Sequence, residues 1–220
     1  MIDLVFLEPN KLGSEPFTTS DVIAAQAQIS YRSVQRMIER HENDLAEFGQ
    51  VRFQITPVKY ARGTNDKKIY QLNEQQATLL ITYLKNTPPV RQFKKDLVQE
   101  FYRMRRELTR RQIFRDAGKP IRRTLTDAIR DSGEDGRMHG HAYGTYTDLA
   151  YKAATGKIAR VLRKERGASA KAIATDFLTS DELSAYNKAE ERLTVLLDMG
   201  LTYDQIKTLL LVQTSKRLAG

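Results

Sequence analysis

A cluster of hydrogen-bonding and basic side chains lies within ten positions of the chain: Tyr31, Arg32, Ser33, Gln35, Arg36 and Arg40. Arginine, serine and glutamine side chains form hydrogen bonds with the edges of bases, and arginine also pairs with phosphate oxygens. The chemistry that these residue types indicate is non-covalent recognition of double-stranded DNA. The same types also form the solvated face of many amphipathic helices, so the cluster alone leaves both interpretations open.

Two helices are predicted to position this cluster. Residues 18–20, Thr-Thr-Ser, offer side-chain oxygens to the free amides of a first helix, and Ser30 offers one to a second. The second helix is expected to run to Gly49, which would end it in a left-handed conformation. Its buried stripe would consist of Val34, Met37, Ile38, Leu45 and Phe48. A short helix, a tight break and a second helix with a basic front are typical of a helix-turn-helix.

A β-ribbon is predicted directly after the two helices. Residues 51–56 alternate between apolar and polar types, as a half-buried strand does, and Pro57 is compatible with an edge strand. Residues 60–68 form a polar, turn-rich segment, and residues 69–72 form the second strand. Such a ribbon after a helix-turn-helix is a wing, which would place Arg62, Lys67 and Lys68 beside phosphates or a minor groove. A plain surface hairpin is the alternative.

A long basic helix is predicted from about residue 90 to residue 115. Acidic partners within the helix are few, so we expect a phosphate-facing ridge or a connecting helix. Its cations are Arg91, Lys94, Lys95, Arg103, Arg105, Arg106, Arg110 and Arg111. Residues 117–120, Ala-Gly-Lys-Pro, are predicted to interrupt the chain and to separate two domains, 1–117 and 118–220.

The C-terminal domain is expected to be all-α. A helix over residues 121–131 is followed by a glycine-rich segment, 132–144, which we interpret as a loop. Further helices are predicted from Tyr146 onwards, with ends at Gly156, Gly167 and Gly200 and starts capped by Thr179 and Thr202. Leu211 and Val212 widen the apolar face of the last helix, which indicates docking on another subunit.

Charge and composition favour a polyanionic partner. The 220 residues carry a formal net charge of +9, with a pI of about 9.7, although an inert basic surface would give the same values. The chain has no cysteine, which excludes disulfides and thiolate metal sites and fits a reducing cytosol. The N-terminus does not resemble a signal peptide, and no segment has the length of a membrane span. We therefore predict a cytoplasmic location and no membrane partner.

Catalytic chemistry is not indicated. His139 and His141 are adjacent loop residues without a clear third and fourth metal ligand, and His41 is interpreted as a boundary residue of a helix. Thr155-Gly156-Lys157 lacks the first glycine of a P-loop at the required spacing. No nucleophile has a base at a recognisable spacing. We predict no enzymatic activity, no metal and no cofactor.

The N-terminal half resembles the Rha family of phage regulatory proteins over about residues 17–106. The resemblance is carried by the order and spacing of short segments rather than by one motif. The segments are Thr19-Ser20 with Val22-Ile23-Ala24, Val34 with Met37-Ile38, Tyr70-Gln71-Leu72, Ala77 with Leu79-Leu80, and Phe93-Lys94-Lys95 with Leu97, Phe101 and Met104. It implies a phage or prophage gene-control protein with an N-terminal winged helix.

The C-terminal half resembles a helical module found at the ends of phage antirepressors and Rha-like proteins. The corresponding residues are Tyr146-Thr147-Asp148-Leu149, Thr155-Gly156-Lys157, Leu178-Thr179 with Leu183, and Gly200-Leu201-Thr202-Tyr203 with Ile206-Lys207. This resemblance implies a role in oligomerisation or in binding a phage repressor or host regulator.

The sequence therefore predicts a mainly α (α+β) protein, with a winged helix-turn-helix followed by an all-α domain. Two functions remain open: a transcriptional regulator that binds double-stranded DNA as a homo-oligomer, or an antirepressor that acts through its C-terminal helices. The predicted DNA-binding residues are Tyr31, Arg32, Ser33, Gln35, Arg36, Arg40, Arg62, Lys67 and Lys68.

Overall fold

A computed structural model describes residues 3–7, 15–60 and 63–218 of the chain. Contacts divide it into two compact units, Met1–Arg106 and Glu107–Gly220, whereas the sequence analysis placed a boundary between residues 117 and 118. The structure is 69% helical, with a small three-stranded antiparallel sheet near the N-terminus and only helices after it in the described residues. The predicted fold class, mainly α with an α+β N-terminal part, is confirmed.

Two short helices begin the N-terminal unit, as predicted. Helix α1 covers Ser20–Ala27, and the Thr19 side chain caps it by accepting a hydrogen bond from the Val22 amide at 3.4 Å. Gln28 ends α1 in the left-handed region with φ of 53°. Helix α2 covers Tyr31–Arg40, and the Ser30 hydroxyl caps it by accepting from the Ser33 amide at 3.1 Å.

The prediction that the second helix continues to Gly49 is wrong. Helix α2 ends at Arg40, and a separate helix, α3, covers Glu42–Ala46. Between them His41 leaves the helical conformation, and its ring stacks on Tyr83 with centroids 4.1 Å apart. Leu45 of α3 is nevertheless fully buried, because α3 turns the chain back towards the same core.

The sheet has the order β1-β3-β2 and is antiparallel throughout. Strand β1 covers Phe17–Thr19, β2 covers Arg52–Tyr60 and β3 covers Gly63–Asn73. Strand β2 is an edge strand, so Pro57 is tolerated there as predicted. Among residues 3–7, Phe6 forms a single antiparallel bridge with Phe17 of β1.

The ribbon of β2 and β3 is longer than predicted. The segment 60–68 was expected to be a polar turn, but Asn65 and Asp66 pair with Val58 and Pro57 across the two strands. Main-chain hydrogen bonding depends little on side-chain type, so turn-forming residues continue the ladder once the strands are paired. Lys67 and Lys68 consequently lie within β3 rather than in a loop.

Helix α4 covers Glu74–Tyr83 and begins with a capping box between Asn73 and Gln76. The core of this unit is formed by Ile23, Val34, Ile38, Leu72 and Leu80, all of them almost completely buried. These side chains come from α1, α2, β3 and α4. The helices and the ribbon are therefore held by one hydrophobic core.

Helix α5 covers Pro88–Asp131, a single helix of 44 residues. The predicted interruption at residues 117–120 is wrong, because the helix continues through Pro120. Proline removes one main-chain donor but does not always end a helix that is supported by packing. Here Asn187 of the last-but-one helix donates a hydrogen bond from Nδ2 to the Phe114 carbonyl at 2.7 Å, within the turn before Gly118.

Five further α-helices follow α5 in the described chain. They are α6 (Glu134–Arg137), α7 (Ala142–Thr155), α8 (Ala159–Glu165), α9 (Ser180–Asp198) and α10 (Tyr203–Leu218), with a short 3-10 helix at Ala174–Phe177. Residues 132–144, predicted to be a loop, contain α6 and the start of α7. Gly156 ends α7 with φ of 76°, and Thr179 begins α9 with a capping box to Glu182, both as predicted.

Candidate nucleic-acid interface

Three arginines form a row along the exposed side of α2. Arg32, Arg36 and Arg40 are four residues apart, so they share one face over about 12 Å of helix length. All three are exposed, while Val34 and Ile38 are buried on the opposite face. Within the described part of the chain, no ion pair or hydrogen bond engages their side chains. The row is therefore available to an external anion.

The other two polar residues of α2 are more constrained. The Ser33 hydroxyl lies 2.7 Å from the Ser30 hydroxyl, so it is part of the helix cap, although it remains exposed. Gln35 is half-buried. Of these two, Ser33 is the better placed to reach a base or a phosphate, because it lies in the first turn beside Arg32.

Tyr31 joins α2 to the ribbon. Its hydroxyl donates a hydrogen bond to the main-chain carbonyl of Lys68 on β3, and its ring is half-buried. Burial raises the pKa of Tyr31, with the Lys67 cation opposing that effect, so the hydroxyl stays a donor. Tyr31 was predicted to contact DNA. The structure instead occupies its hydroxyl within the protein.

Lys67 is held beside the first turn of α2. Its ammonium nitrogen lies 4.3 Å from the centroid of the Tyr31 ring and 2.6 Å from a carboxylate oxygen of Asp21. Its side chain is about a quarter exposed, at 26%. The Asp21 carboxylate offsets part of the positive charge of Lys67. The rest of that charge adds to the positive potential near Arg32.

Lys68 lies over aromatic rings of the ribbon. Its ammonium nitrogen is 4.1 Å from the ring centroid of Phe53 and 4.6 Å from that of Tyr70, both within the range of cation–π attraction. A hydrogen bond with Tyr70 raises the pKa of Lys68, so this cation is charged at neutral pH.

One carboxylate of α2 also contacts the ribbon. The Tyr70 hydroxyl donates to Glu39 Oε1 at 3.2 Å, and burial raises the pKa of Tyr70, which keeps it protonated. The Tyr70 amide in turn donates to the Ser20 hydroxyl at 3.0 Å. Glu39 is exposed and reduces the positive field near Arg36 and Arg40.

The predicted site residues are thus distributed over two adjoining surfaces. Tyr31, Lys67 and Lys68 contact one another where α2 meets β3, and the arginine row extends from there along α2. Arg62 lies outside the described residues. Sequence reasoning missed Asp21, Glu39 and Phe53 as neighbours of these cations. The strand alternation at 51–56 indicated that Phe53 faces one side, but nothing local indicated which lysine would cover it.

Several cations of the basic helix α5 form ion pairs with acidic side chains. Arg103 pairs with Glu100 at 2.5 Å, Arg111 with Glu107 at 3.2 Å and Arg105 with Glu74 of α4 at 2.7 Å. The expectation that its cations lack acidic partners is therefore wrong for these arginines. The arginine row of α2 is the better candidate for an anion-binding surface.

Among the residues that the structure describes, no three histidine, aspartate or glutamate side chains are grouped so as to hold a metal ion, and His139 and His141 form no such group. No described helix combines the length and the apolar character that crossing a membrane requires.

Comparison with known proteins identifies the N-terminal unit. Residues 18–106 match the family described as phage regulatory protein Rha, a span that includes α1, α2, the ribbon and the first part of α5. No curated protein matches the chain. The match supports a role as a phage regulator, while the resemblance of the C-terminal half to antirepressor modules stays a prediction. The family matched over residues 18–106, phage regulatory protein Rha, is the one that the residues of the N-terminal half predicted.

Proposed function

We propose that this protein is a phage or prophage transcriptional regulator that binds double-stranded DNA through an N-terminal winged helix-turn-helix. The observation that carries the proposal is the exposed row Arg32, Arg36 and Arg40 on α2, next to a ribbon that carries Lys67 and Lys68. Helices α1 and α2 and the ribbon of β2 and β3 have the order of a helix-turn-helix followed by a wing.

In this proposal α2 is the recognition helix and lies in the major groove. The N-terminal residues of such a helix approach the base edges, and Arg32 is its second residue. A guanidinium group in the groove pairs with guanine through two hydrogen bonds, which gives sequence discrimination. Arg40, at the opposite end of α2, is better placed for a phosphate.

The ribbon supplies contacts that do not depend on sequence. Lys67 lies beside the first turn of α2 and Lys68 lies over Phe53 and Tyr70 of the ribbon, so a duplex seated on α2 brings its phosphates towards this side of the ribbon. Their ring contacts, to Tyr31 and to Phe53, restrict the side chains before binding. Restricted side chains lose less conformational entropy when they bind an anion.

Selection of bound duplexes from a random pool by the full-length protein tests this proposal. We expect enrichment of one motif, and we expect the protein to bind that motif more tightly than a scrambled duplex of equal length and composition. Specific binding typically exceeds non-specific binding by about a thousandfold or more at physiological salt. A pool that shows no enrichment after repeated rounds would contradict the proposal.

A second function, antirepression or binding of a host factor through the C-terminal helices, is favoured by one observation. Val195 on α9, Met199 directly after α9 and Leu209 on α10 are large apolar side chains with exposures of 57%, 68% and 48%. Exposed apolar side chains of this kind are typical of protein interfaces, either between copies of this chain or with a regulator. Of these two kinds of interface, we propose the one between copies of this chain, which would form a homo-oligomer.

The two functions are separable with one variant of the full chain. Replacement of both Arg32 and Arg36 by alanine removes the proposed DNA contacts and leaves α9 and α10 unchanged. If the variant no longer binds the selected duplex but still retains a phage repressor or host regulator from a lysogen extract, the C-terminal function is supported. If the variant no longer regulates transcription and retains no protein partner from the extract, DNA binding alone accounts for the function.

A further inference from the structure

The C-terminal unit contains a cavity that the proposed DNA-binding function does not use. Its volume is about 430 Å³, which is within the usual range for small-molecule sites. Residues of α5, α7 and α9 line it, together with the segment around the 3-10 helix. Tyr151 and Tyr186 form an aromatic wall, with ring centroids 4.6 Å apart, and Ile173 lies at an exposed position, at 60%.

A buried carboxylate lies in the wall of this cavity, and one of its oxygens has no hydrogen-bond partner in the described structure. Glu190 lines the cavity and is 1% exposed. Its Oε1 accepts hydrogen bonds from the Tyr186 hydroxyl at 2.7 Å and from Arg122 at 2.9 Å. In the described structure its Oε2 is buried and has no hydrogen-bond partner. A buried carboxylate oxygen without a donor is costly, so a donor from outside the protein would be stabilised there.

The charges around the cavity restrict what kind of molecule fits. Arg122 pairs with Glu190, Arg115 with Asp176 and Lys119 with Asp116, so each cation of the wall already has an anionic partner. An anionic molecule would gain little from these cations and would lie near the Glu190 carboxylate. A cationic molecule would lie near three basic side chains. An uncharged molecule with a donor group avoids both costs.

We propose that this cavity binds a small, uncharged, ring-bearing molecule whose N–H group donates a hydrogen bond to Glu190 Oε2. The ring would pack against Tyr151, Tyr186 and Leu183, which supply the apolar part of the wall. The Arg122 guanidinium holds the carboxylate in place, and it is itself fixed by donating to the Thr147 hydroxyl at 2.6 Å. Nucleobases, nucleosides and indole have the required chemistry.

Ligand-observed NMR with the full-length protein tests this site. The probes are adenosine, guanosine, cytidine, uridine and indole, each added separately. We expect at least one of them to bind with a Kd of about 1 mM or tighter, which corresponds to a modest free energy for a ligand of this size. If none of the five binds at this level, the cavity holds only water and the proposal is wrong.

Two variants tie any binding to the cavity. Glu190→Gln keeps the shape of the side chain and an acceptor for Tyr186 and Arg122, but it places an NH₂ group where Oε2 was. Ile173→Trp fills the exposed side of the cavity without changing a buried residue. We expect each variant to weaken probe binding by about tenfold or more, as expected for one lost buried hydrogen bond or a blocked entrance.

Ile113→Trp is the matched control, because Ile113 is an isoleucine of nearly equal exposure, at 59%, that does not line the cavity. Probe binding by this variant should equal that of the wild type. If Glu190→Gln fails to fold, Ile173→Trp decides the outcome on its own. Probe binding that neither Ile173→Trp nor Glu190→Gln reduces would place the probe elsewhere and overturn the proposal.

Discussion

The hydroxyl of Tyr31 donates a hydrogen bond to the main-chain carbonyl of Lys68, which ties the first residue of α2 to strand β3. Lys67, the preceding residue of β3, lies over the same tyrosine ring at 4.3 Å. The arginine row of α2 and the lysines of the ribbon therefore lie on two adjoining surfaces that meet at Tyr31. Tyr31 and Lys68 are 37 positions apart in the sequence, and the fold brings them into contact through the tyrosine side chain.

Tyr31→Phe removes the hydroxyl and leaves the ring in place. We expect a loss of about 1 kcal/mol in the local stability of the junction between α2 and β3, because the Lys68 carbonyl loses its side-chain donor. Faster hydrogen exchange of the amides of β3 is the corresponding measurement. The control is Tyr102→Phe, since Tyr102 is 54% exposed on α5. Equal exchange in both variants would show that the hydrogen bond contributes nothing.

Lys67→Ala is expected to weaken binding to every duplex, specific or scrambled, by a similar factor. Lys67 is proposed to contact a phosphate, and the loss of one such contact reduces the slope of log K against log salt concentration by about 1. Titrations at several salt concentrations measure that slope. Lys152→Ala removes the same charge from an exposed position on α7 and should leave the slope unchanged. A normal slope in Lys67→Ala would remove the ribbon from the interface.

Gly118→Ala should destabilise the C-terminal unit, although alanine is normally the better helix former by about 1 kcal/mol. A Cβ atom at position 118 would lie 2.6 Å from Asn187 Oδ1, and Asn187 is buried and bonded to the Phe114 carbonyl. We expect a net loss of about 1–2 kcal/mol as that hydrogen bond is displaced. Urea unfolding followed by circular dichroism measures it.

Gly144→Ala is the matched control for this substitution. Gly144 also lies within a helix, α7, and a Cβ there would meet nothing within 4 Å. We therefore expect this variant to be more stable than the wild type by about 0.5–1 kcal/mol. If both variants shift the free energy of unfolding in the same direction, the close approach of α9 to α5 at Gly118 does not limit stability.

Glu182 makes the C-terminal unit sensitive to acid. Burial alone would raise the pKa of Glu182, but hydrogen bonds from Arg166, at 2.6 Å, and from the Thr179 amide, at 2.8 Å, bring that pKa below its ordinary value of 4.5. Because the folded-state pKa is lowered, the stabilisation is present above the unfolded-state pKa and is lost as the pH falls through the folded-state pKa.

Glu182→Gln should therefore be less stable than the wild type at neutral pH, and the difference should shrink at acidic pH. Urea unfolding at about pH 7 and about pH 3 compares the two proteins. Glu165→Gln is the control, since the Glu165 carboxylate pairs with Lys157 at the surface with 47% of its side chain exposed. A difference between Glu182→Gln and the wild type that is the same at both pH values would contradict this account.

Local signals predicted the starts of helices well. Ser30 and Thr179 were each predicted as caps, Thr19 lies in the predicted cap segment 18–20, and each of these side chains accepts the expected main-chain hydrogen bond. A cap is a contact between residues two or three positions apart, so the sequence contains all the information it needs. The same holds for the glycine at the end of α7.

Signals that depend on distant contacts were misread. Residues 117–120 predicted an interruption, but α5 continues through Pro120, close to the point where Asn187 of α9 donates a hydrogen bond to the Phe114 carbonyl. Asn65 and Asp66 indicated a turn, but they continue the ladder with β2. In both cases the partner lies far away in sequence, and tertiary contacts override local propensity.

In the candidate site, too, local features were predicted from the sequence and distant contacts were not. The spacing of Arg32, Arg36 and Arg40 fixed their common face, because helical periodicity is local. The engagement of Tyr31 with Lys68 and of Lys67 with Asp21 depends on how β3 packs beside α2, which no local pattern specifies. Glu190 was missed for the same reason, since its burial arises only when α5, α7 and α9 come together.

Fluorescence polarisation with the duplex selected from the random pool tests the central claim most directly. Arg36→Ala should weaken binding to that duplex by about 1–3 kcal/mol and should have a smaller effect on a scrambled duplex, as loss of a base contact does. Arg123→Ala, which removes an exposed arginine from the C-terminal part of α5, should bind like the wild type. Weak and equal affinity of the wild type for both duplexes, unchanged in Arg36→Ala, would contradict the assignment of α2 as a DNA-reading helix.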